Sequence, residues 1–361
     1  MPEENATRHS LLKYRLKSRI SEDLFEAMPA EVQNFLLNMQ QEDIKENHLS
    51  ALLRLPWTAE KADLGVDLHI AKRTLDRSHY AMEGVKEKIM RYMACQKHLG
   101  RSYGAVLLLA GPPGVGKTSI ALSVARAMNR PCVKISLAGV ADAYFLRGVQ
   151  QVFRNAHHGR IIEAVMRSGS FAPVILLDEI DKIGSSQEHG RPENVLLDLL
   201  DSDRSRFVDN FLGFPVDLSD AVFIATANDL SVLSPVLKDR LDIVELPPYS
   251  DADKIRITLD YIWPKLLAEY NLESLDELCD DLDMTASALC PLELTEEAAR
   301  ALIERCPEEG VRDLERTCRT LCESVISVWY AHKALIRRID AGNLSGLLGP
   351  VFYQNRSDRN G

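Results

Sequence analysis

The stretch Gly111-Pro-Pro-Gly-Val-Gly-Lys-Thr118 decides the fold class of this chain. It fits the spacing G-x-x-x-x-G-K-[ST], in which glycines let backbone N–H groups close around the phosphates of a nucleotide. Lys117 is expected to reach the β and γ phosphates, and the Thr118 hydroxyl is expected to bind Mg²⁺. The residues predicted to contact the nucleotide here are Gly111, Pro112, Pro113, Gly114, Val115, Gly116, Lys117, Thr118 and Ser119.

The sequence on both sides of this loop supports a nucleotide site. The continuous apolar run Ala105–Ala110 suits a strand that is buried on both faces of a parallel sheet. Thr118 to Met128 has a helical pattern, and the N-terminus of that helix would point at the phosphates. Strand, loop and helix in this order distinguish a nucleotide site from a glycine-rich turn that matches the spacing by chance.

The composition limits the class of protein. The 361 residues favour two or three domains, and 46% hydrophobic residues supply material for their cores. A net charge of −10 argues against nucleic acid as a partner, because phosphate backbones need a clustered positive surface. The apolar runs are too short to span a bilayer, so we expect a soluble cytoplasmic protein with no membrane contact. Cys318 and Cys322 are expected to be buried thiols, because no histidine accompanies them as a metal ligand.

Downstream of the loop, apolar strand candidates alternate with helical patterns. This alternation predicts an α/β fold with a doubly wound parallel sheet. Beyond Pro247-Pro248, Asp251 to Ala341 is expected to be all-helical, with Thr295 at a helix start and an acidic solvated insertion from Glu269 to Asp283. The strand candidates are Val133–Leu137, Val174–Leu177, Val222–Thr226 and Ile243–Leu246. The predicted domains are an N-terminal helical segment (1–57), a large α/β nucleotide-binding domain (58–248), a smaller helical domain (249–345) and a C-terminal tail (346–361).

Two carboxylates end the apolar run that begins at Val174. Asp178 is predicted to bind Mg²⁺, directly or through water, and Glu179 to polarise the water that attacks the γ phosphate of ATP. Without the phosphate loop, the pair would be an ordinary transition from strand to loop. Behind that loop, it predicts hydrolysis as well as binding.

Two further polar residues follow later strands or turns. Asn228 comes directly after a strand candidate and is predicted to hold the attacking water; taken singly it would be only a loop asparagine. Arg240 precedes the last strand candidate. Its guanidinium is predicted to stabilise charge on the transferring phosphoryl group, with a surface salt bridge as the alternative.

At this point the chain resembles the ATPase part of the Lon family of AAA+ proteases over nearly its whole length. The motifs that carry the resemblance are Leu55-Pro-Trp57, His79-Tyr80-Ala-Met82-Glu83-Gly-Val-Lys86, Gly111 to Ser119, Leu177-Asp-Glu-Ile-Asp-Lys-Ile-Gly184, Leu196-Leu-Asp-Leu-Leu-Asp201, Ala225-Thr-Ala-Asn228, Asp239-Arg240 and Gly310-Val-Arg-Asp-Leu-Glu-Arg316. The resemblance implies that His79 and Tyr80 lie near the adenine of ATP. It also implies that Asn228 is sensor 1, that Arg240 is the arginine finger and that Arg312 in the lid is sensor 2. Finally, it implies a homo-oligomeric ring, usually a hexamer, that threads a protein substrate through its pore in protein quality control.

The chain departs from the family in two places. It ends soon after Gly349-Pro-Val-Phe352, which resembles the junction into the family's protease domain, and the serine and lysine dyad of that domain has no counterpart. Intrinsic peptidase activity is therefore not expected. The loop that should grip substrate keeps an aromatic residue at Phe153, but Arg154 replaces an aliphatic residue and His157-His158 replace Met-Pro. With no third ligand nearby, the two histidines are expected to be solvated loop residues rather than a metal site or a pH switch.

The leading hypothesis is a Lon-like ATPase that unfolds or remodels proteins, either alone or with a separate protease. The altered loop at Phe153 leaves an alternative, a nucleotide-dependent switch or scaffold that does not thread substrate. A DNA-acting ATPase shares the same nucleotide motifs, but the acidic balance argues against it. A longer natural protein is a third alternative, although Met1 and the polar tail Gln354–Gly361 favour a complete chain.

Overall fold

A computed structural model of the chain describes residues 20–38, 45–59, 66–99, 106–184, 190–200, 204–273, 291–332 and 334–349. The predicted insertion beyond residue 273 and the tail beyond residue 349 lie outside these ranges. Internal contacts divide the chain into two compact units. The first unit comprises Met1–Leu75, Gly84–Ala110 and Thr118–Glu245, and the second comprises Asp76–Glu83, Gly111–Lys117 and Leu246–Gly361.

The first unit contains a parallel sheet with helices around it. Its elements, including three helices that have one end in the second unit, are α1 (Glu22–Ala27), α2 (Ala30–Asn38), α3 (Glu46–Leu53), α4 (Leu68–Ser78), α5 (Glu83–Leu99), β1 (Val106–Ala110), α6 (Lys117–Ala127), β2 (Cys132–Ser136), α7 (Ala143–Arg147), α8 (Arg160–Ser168), β3 (Val174–Asp178), a 3₁₀ turn (Ile180–Lys182), α9 (Pro192–Leu200), β4 (Phe207–Val208), β5 (Pro215–Val216), β6 (Val222–Ala227), α10 (Pro235–Lys238) and β7 (Leu241–Glu245).

The central sheet has five parallel strands in the order β2-β3-β6-β1-β7, and β4 and β5 form a separate antiparallel hairpin. Every residue of β1, β3 and β6 is buried, because these inner strands have helices over both faces. In the outer strands β2 and β7, exposed polar residues lie between residues that are buried or half-buried. The predicted doubly wound α/β fold is therefore confirmed, and the carboxyl ends of β1, β3 and β6 meet at one edge of the sheet, where such folds bind ligands.

The N-terminal helices share the core of this sheet. Leu36 of α2 and Leu52 of α3 belong to one buried cluster with Ile175 and Phe223 from the central strands. The Ser21 side chain accepts a hydrogen bond from the N–H of Leu24 and so caps α1, which ends two residues before Pro29. Burial of apolar surface, at roughly 25 cal/mol per Å², is what holds these short helices in place.

The second unit is mainly helical. Its elements are α11 (Asp251–Ile257), a π-helical turn (Thr258–Ile262), α12 (Trp263–Glu269), β8 (Glu293–Leu294), α13 (Glu296–Arg305), α14 (Arg312–His332), β9 (Arg338–Ile339) and α15 (Leu344–Leu348). Thr295 caps α13 as expected, because its hydroxyl accepts from the N–H of Ala298. Cys318 and Cys322 are fully buried in the core of this unit, and burial raises the pKa of both thiols.

One feature of the second unit was not predicted. β8 and β9 pair in parallel within a region that the sequence indicates as all-helical. Each strand has two residues, which is too short for an alternating pattern to show in the sequence. Leu294 and Ile339 are buried, and pairing satisfies backbone groups that the core would otherwise leave without partners. Among the described residues of both units, no helix is long and apolar enough to cross a membrane.

Candidate nucleotide-binding site

The predicted phosphate loop folds closely on itself within the second unit. The Lys117 ammonium group donates to the carbonyl oxygens of Gly111 and Pro112, both at 2.7 Å. The φ angle of Gly114 is 83°, in the left-handed region that glycine adopts readily. The loop therefore has the backbone form that its glycines predict, with the lysine held against it.

The segment before α14 packs against this loop. The N–H of Val311 donates to the Gly114 carbonyl oxygen at 3.1 Å. A Cβ atom on Gly310 would lie 2.3 Å from the carbonyl carbon of Gly114 and 2.6 Å from the Pro113 carbonyl oxygen, so only glycine fits there. A Cβ atom on Gly114 would in turn lie 3.2 Å from the backbone nitrogen of Arg312. The predicted sensor 2 residue, whose side chain is exposed, thus begins α14 directly beside the loop.

Two residues that the sequence did not single out hold this arrangement. The Tyr249 hydroxyl donates to the Val115 carbonyl oxygen at 3.0 Å, and burial raises the pKa of this phenol to about 12. Glu308 accepts hydrogen bonds from the backbone N–H groups of Asp313 (2.5 Å) and Leu314 (3.2 Å). It caps α14, because Val311 before the helix has no side-chain acceptor. Burial raises the pKa of Glu308, and the two N–H groups oppose that shift.

His79 and Tyr80 lie in the break between α4 and α5. The following residues, Ala81 and Met82, both have positive φ angles (54° and 62°), which is uncommon for residues with a Cβ atom. His79 is buried, and its Cδ2 atom would lie 3.8 Å from a Cβ atom on Gly116. The Tyr80 ring lies 6.3 Å from the ring of Tyr261. Of the two residues expected near the adenine, His79 is the one that this geometry places beside the phosphate loop.

In the first unit, Asp178 is the centre of a hydrogen-bond network at the end of β3. Its Oδ1 atom accepts from the hydroxyls of Thr226 (2.6 Å) and Thr118 (3.2 Å), and its Oδ2 atom pairs with the Lys134 ammonium group at 2.5 Å. Burial by itself raises the pKa of Asp178, but the hydrogen bonds from Lys134 and the two threonines outweigh it and hold the pKa below the ordinary value. The carboxylate is therefore kept ionised next to Thr118.

Glu179 has an uncommon backbone conformation that Thr226 stabilises. Its φ angle is 59°, and its N–H donates to the Thr226 hydroxyl at 2.9 Å. The same hydroxyl therefore links the backbone of Glu179 to the side chain of Asp178. The Glu179 carboxylate pairs with Lys182 at 2.6 Å. Strained backbone of this kind is concentrated at functional sites, which supports the predicted role of Glu179.

Asn228 comes directly after β6, which lies between β1 and β3. In the register of these strands, Ala227 pairs with Ala110, and Ala225 pairs with Leu177. Asn228 therefore follows its strand at the same edge of the sheet as Glu179 does, and it is half-buried. The sheet brings the predicted sensor 1 residue and the predicted catalytic carboxylate to neighbouring strand ends.

Arg240 and Phe153 lie on the surface of the first unit. Arg240 donates to the Leu197 carbonyl oxygen at 2.8 Å, and its side chain is exposed. Phe153 is 51% exposed and Val152 is 83% exposed, within the loop from Gly148 to Gly159. Neither Arg240 nor Phe153 is in the network around Asp178. Among the described residues, no group of three or more histidine, cysteine or acidic side chains is placed to hold a metal ion.

Within each unit, the residues suit part of the Mg·ATP that the sequence implies: Mg²⁺ in the first unit and a phosphate in the second. Thr118 and Asp178 bring a hydroxyl and an ionised carboxylate into contact, and oxygen atoms of these kinds are the ligands that Mg²⁺ prefers. The Lys117 ammonium group donates hydrogen bonds to loop carbonyl oxygens, and it can exchange these acceptors for phosphate oxygens. The sequence did not single out Thr226 or Lys134. The nearest signal was the threonine in Ala225-Thr-Ala-Asn228, two residues before Asn228.

Comparison with known proteins identifies the family. Residues 107–249 match the model of the ATPase family associated with various cellular activities (AAA). The Lon protease of Amoebophilus asiaticus (strain 5a2) is 38% identical over 308 residues, which are 85% of this chain and 35% of that protein. Lon protease 1 of Bacillus subtilis (strain 168) is 36% identical over 310 residues, 85% of this chain and 38% of that protein. The peroxisomal Lon protease homolog 2 of Oryza sativa subsp. indica is 38% identical over 279 residues, 77% of this chain and 30% of that protein.

The chain therefore spans about a third of the length of the curated relatives that it matches. Among solved structures, a mutant of RuvB from Thermotoga maritima aligns with a TM-score of 0.50 at 18% identity, over 76% of this chain and 71% of that one. At that identity, the likeness supports the fold alone.

Proposed function

Because this chain is an AAA ATPase module of the Lon protease family, we propose that it hydrolyses ATP and uses the energy to unfold or remodel proteins. The observation that carries the proposal is the hydrogen bond between Thr118 and Asp178, the two side chains predicted to bind Mg²⁺. A nucleotide-binding scaffold needs the loop alone. Hydrolysis also needs the ionised carboxylate and its neighbour Glu179, at the same strand end.

Each residue has a role in this proposal. Bound Mg·ATP supplies the phosphoryl group that is cleaved and a cation that offsets its charge. With nucleotide bound, Lys117 would leave its loop carbonyls to bind phosphate, and Thr118 and Asp178 would hold Mg²⁺. Glu179 leaves Lys182 to orient a water molecule, with Asn228 as its partner. Arg312, at the start of α14 beside Gly114, reports the state of the phosphates to the lid.

The proposal extends to assembly and substrate. The exposed guanidinium of Arg240 acts on the nucleotide of a neighbouring copy in a homo-oligomeric ring. The ring size that we propose is a hexamer. Phe153, at the tip of an exposed loop, contacts an unfolded polypeptide in the pore of that ring. We propose that this module remodels proteins and does not itself cleave peptides, with a separate protease as a candidate partner, because the residues assigned in it serve nucleotide turnover and, at Phe153, substrate contact.

The test is an ATPase assay combined with native mass determination, with and without ATP, on the wild type and on Glu179→Gln. Removing a general base costs roughly 10²–10⁴-fold in rate, so turnover in Glu179→Gln should fall by at least about 100-fold. ATP should still bind and should still change the assembled mass. Glu297→Gln, the same change at an exposed position of α13, is the matched control and should keep the wild-type rate. Full turnover in Glu179→Gln would refute the proposal.

A nucleotide-dependent switch or scaffold is the second candidate function. It is favoured by Arg154 and His157, two exposed polar residues that share the loop with Phe153. The two functions differ in their response to unfolded β-casein as a probe substrate. Threading predicts that casein stimulates ATP turnover and that Phe153→Ala removes the stimulation. A switch predicts that ATP changes the assembled mass while Phe153→Ala changes nothing.

A further inference from the structure

The turn between β4 and β5 contains a fully buried carboxylate. Asp209 is 0% exposed. Its Oδ1 atom accepts from the backbone N–H groups of Phe211 (2.9 Å) and Leu212 (3.1 Å), and its Oδ2 atom accepts from the N–H of Gly159 at 2.8 Å. Burying a carboxylate is costly unless donors satisfy it, and here backbone N–H groups from two separate segments do so. Asp209 therefore ties the β4–β5 turn to the far end of the Phe153 loop, Gly148–Gly159.

The next residues of the turn hold the near end of the same loop. The N–H of Asn210 donates to the Arg147 carbonyl oxygen at 2.7 Å, and its side-chain amide donates to the Gly148 carbonyl oxygen at 2.9 Å. The side chain of Gln151 donates to the Phe211 carbonyl oxygen at 2.9 Å. Both ends of the Phe153 loop are thus anchored to three consecutive residues, 209 to 211, while the tip of the loop stays exposed.

Helix α3 packs against the other side of this turn. The buried ring of His48 donates from Nε2 to the Leu212 carbonyl oxygen at 3.0 Å, and its centroid lies 5.4 Å from the ring of Phe211. Lys45, directly before α3, donates its ammonium group to the Gln151 carbonyl oxygen within the Phe153 loop. Burial lowers the pKa of His48, although its backbone hydrogen bond opposes the shift, and so the neutral ring is favoured. The N-terminal helices therefore contact both the loop and the turn that anchors it.

We propose that Asp209 and Asn210 are positioning residues that fix the height and direction of Phe153, and that α3 braces them through His48. The N-terminal helices then control how the loop meets a substrate without touching the nucleotide residues. The consequence for substrate rests on the proposed function of Phe153, whereas the anchoring does not. The partner implied for the exposed tip is an extended polypeptide with apolar side chains, because Val152 and Phe153 present apolar surface there.

The test compares Asp209→Asn with Asp217→Asn, a matched control in the same region whose carboxylate is exposed and accepts from the N–H of Ser219. In Asp209→Asn, one acceptor oxygen becomes an NH₂ group, which must face a backbone N–H. Hydrogen exchange by mass spectrometry on peptides covering residues 148–159 measures the anchoring directly. We expect roughly tenfold faster exchange in Asp209→Asn and wild-type exchange in Asp217→Asn, since 1.4 kcal/mol of lost protection is a factor of ten.

Two further variants keep the test valid if Asp209→Asn fails to fold. Asn210→Ala removes the bond to Gly148 and should also speed exchange in the loop. His48→Leu removes the donor to Leu212 and should do the same, whereas His48→Gln keeps an N–H donor and should restore part of the protection. Basal ATP turnover should stay within about twofold of the wild type in all of these variants, because none of them alters the nucleotide residues.

The outcome for the loop is separable from the outcome for the proposed function. Unchanged exchange over residues 148–159 in both Asp209→Asn and Asn210→Ala would overturn the anchoring. If exchange rises and the concentration of β-casein needed for half-maximal stimulation rises with it, positioning is supported. If Phe153→Ala abolishes the casein response while the freed loop of Asp209→Asn keeps it, the positioning role is overturned. If casein does not stimulate ATP turnover by the wild type, the threading function is contradicted. The anchoring of the Phe153 loop is then judged from the hydrogen-exchange rates alone.

Discussion

Replacing Gly310 with alanine tests the contact between the α14 segment and the phosphate loop. The added methyl carbon would lie 2.3 Å from the carbonyl carbon of Gly114 and 2.6 Å from the Pro113 carbonyl oxygen. Carbon atoms pack without strain at about 3.5–4.0 Å, so the overlap is at least about 1.2 Å. The obstructing atoms are backbone, and no side-chain rotation can move them aside. The segment or the loop must therefore shift as a whole.

The cost follows from two contributions. Overpacking a well-packed site costs about 1–3 kcal/mol. A shift also breaks the hydrogen bond from Val311 to the Gly114 carbonyl oxygen, whose net worth is about 1 kcal/mol. We expect Gly310→Ala to lower the free energy of unfolding of the second unit by about 2–4 kcal/mol. It should also weaken nucleotide binding, because the loop no longer has the shape that the lid segment gives it.

Tryptophan fluorescence during urea unfolding measures the first effect. Trp263 and Trp329 are both buried in the second unit and report on it, while Trp57 belongs to the first. Binding of a fluorescent ADP analogue measures the second effect. Gly346→Ala is the control, since a Cβ atom there meets nothing within 4 Å, and a glycine-to-alanine change within a helix should be neutral or mildly stabilising. If Gly310→Ala matched Gly346→Ala in both assays, the close contact with Gly114 would be wrong.

Three further predictions concern the hydrogen-bond networks of the two units. Thr226→Val removes the hydroxyl that links Asp178 to the backbone of Glu179, so urea unfolding of the first unit should show a loss of about 1–3 kcal/mol, and Thr226→Ser should recover most of it. Lys134→Met removes a group that lowers the pKa of Asp178. A carboxylate with a lowered pKa stabilises the folded state above its ordinary value near 3.8, and that stability is lost as the pH falls through the lower folded value. Lys134→Met should therefore be less stable than the wild type at about pH 6, and this difference should shrink as the pH falls below 3.8. A difference in unfolding free energy that stays the same at all pH values would contradict the prediction. Glu308→Ala uncaps α14 and should cost the second unit about 0.5–2 kcal/mol by urea unfolding, with Glu308→Gln closer to the wild type; equal loss in both would show that the charge and not the cap matters.

Local sequence predicted most of the α/β fold and part of the candidate site. The predicted strands Ala105–Ala110, Val174–Leu177 and Val222–Thr226 became the fully buried strands β1, β3 and β6, each within one residue of the predicted limits. A buried strand needs only a continuous apolar run, and a phosphate loop needs only its own glycines and lysine, so both can be recognised in one short stretch. The parallel pair β8 and β9 was not predicted, because a strand of two residues is too short to show an alternating pattern of apolar and polar residues.

The remaining contacts depend on residues that are far apart in the chain. Thr226 reaches Asp178 only because β6 lies beside β3 in the sheet, and Lys134 reaches it only because β2 lies on the other side. The tie between Asp209 and Gly159 spans 50 residues. No local pattern marks a hydroxyl or a carboxylate for such a contact, because the partner is chosen by strand order and turn packing.

The sequence by itself therefore determined the α/β fold of this chain, and it predicted which loop and strand ends carry the chemistry of a nucleotide site. Only the tertiary structure decided how those groups are held, through Gly310 against Gly114, Thr226 between Asp178 and Glu179, and Asp209 beneath the Phe153 loop. The physical reason is the distance along the chain over which each interaction acts. Period, glycine spacing and capping act within a few residues, whereas the ionisation of a carboxylate and the position of a loop depend on whatever the folded chain brings within about 3 Å.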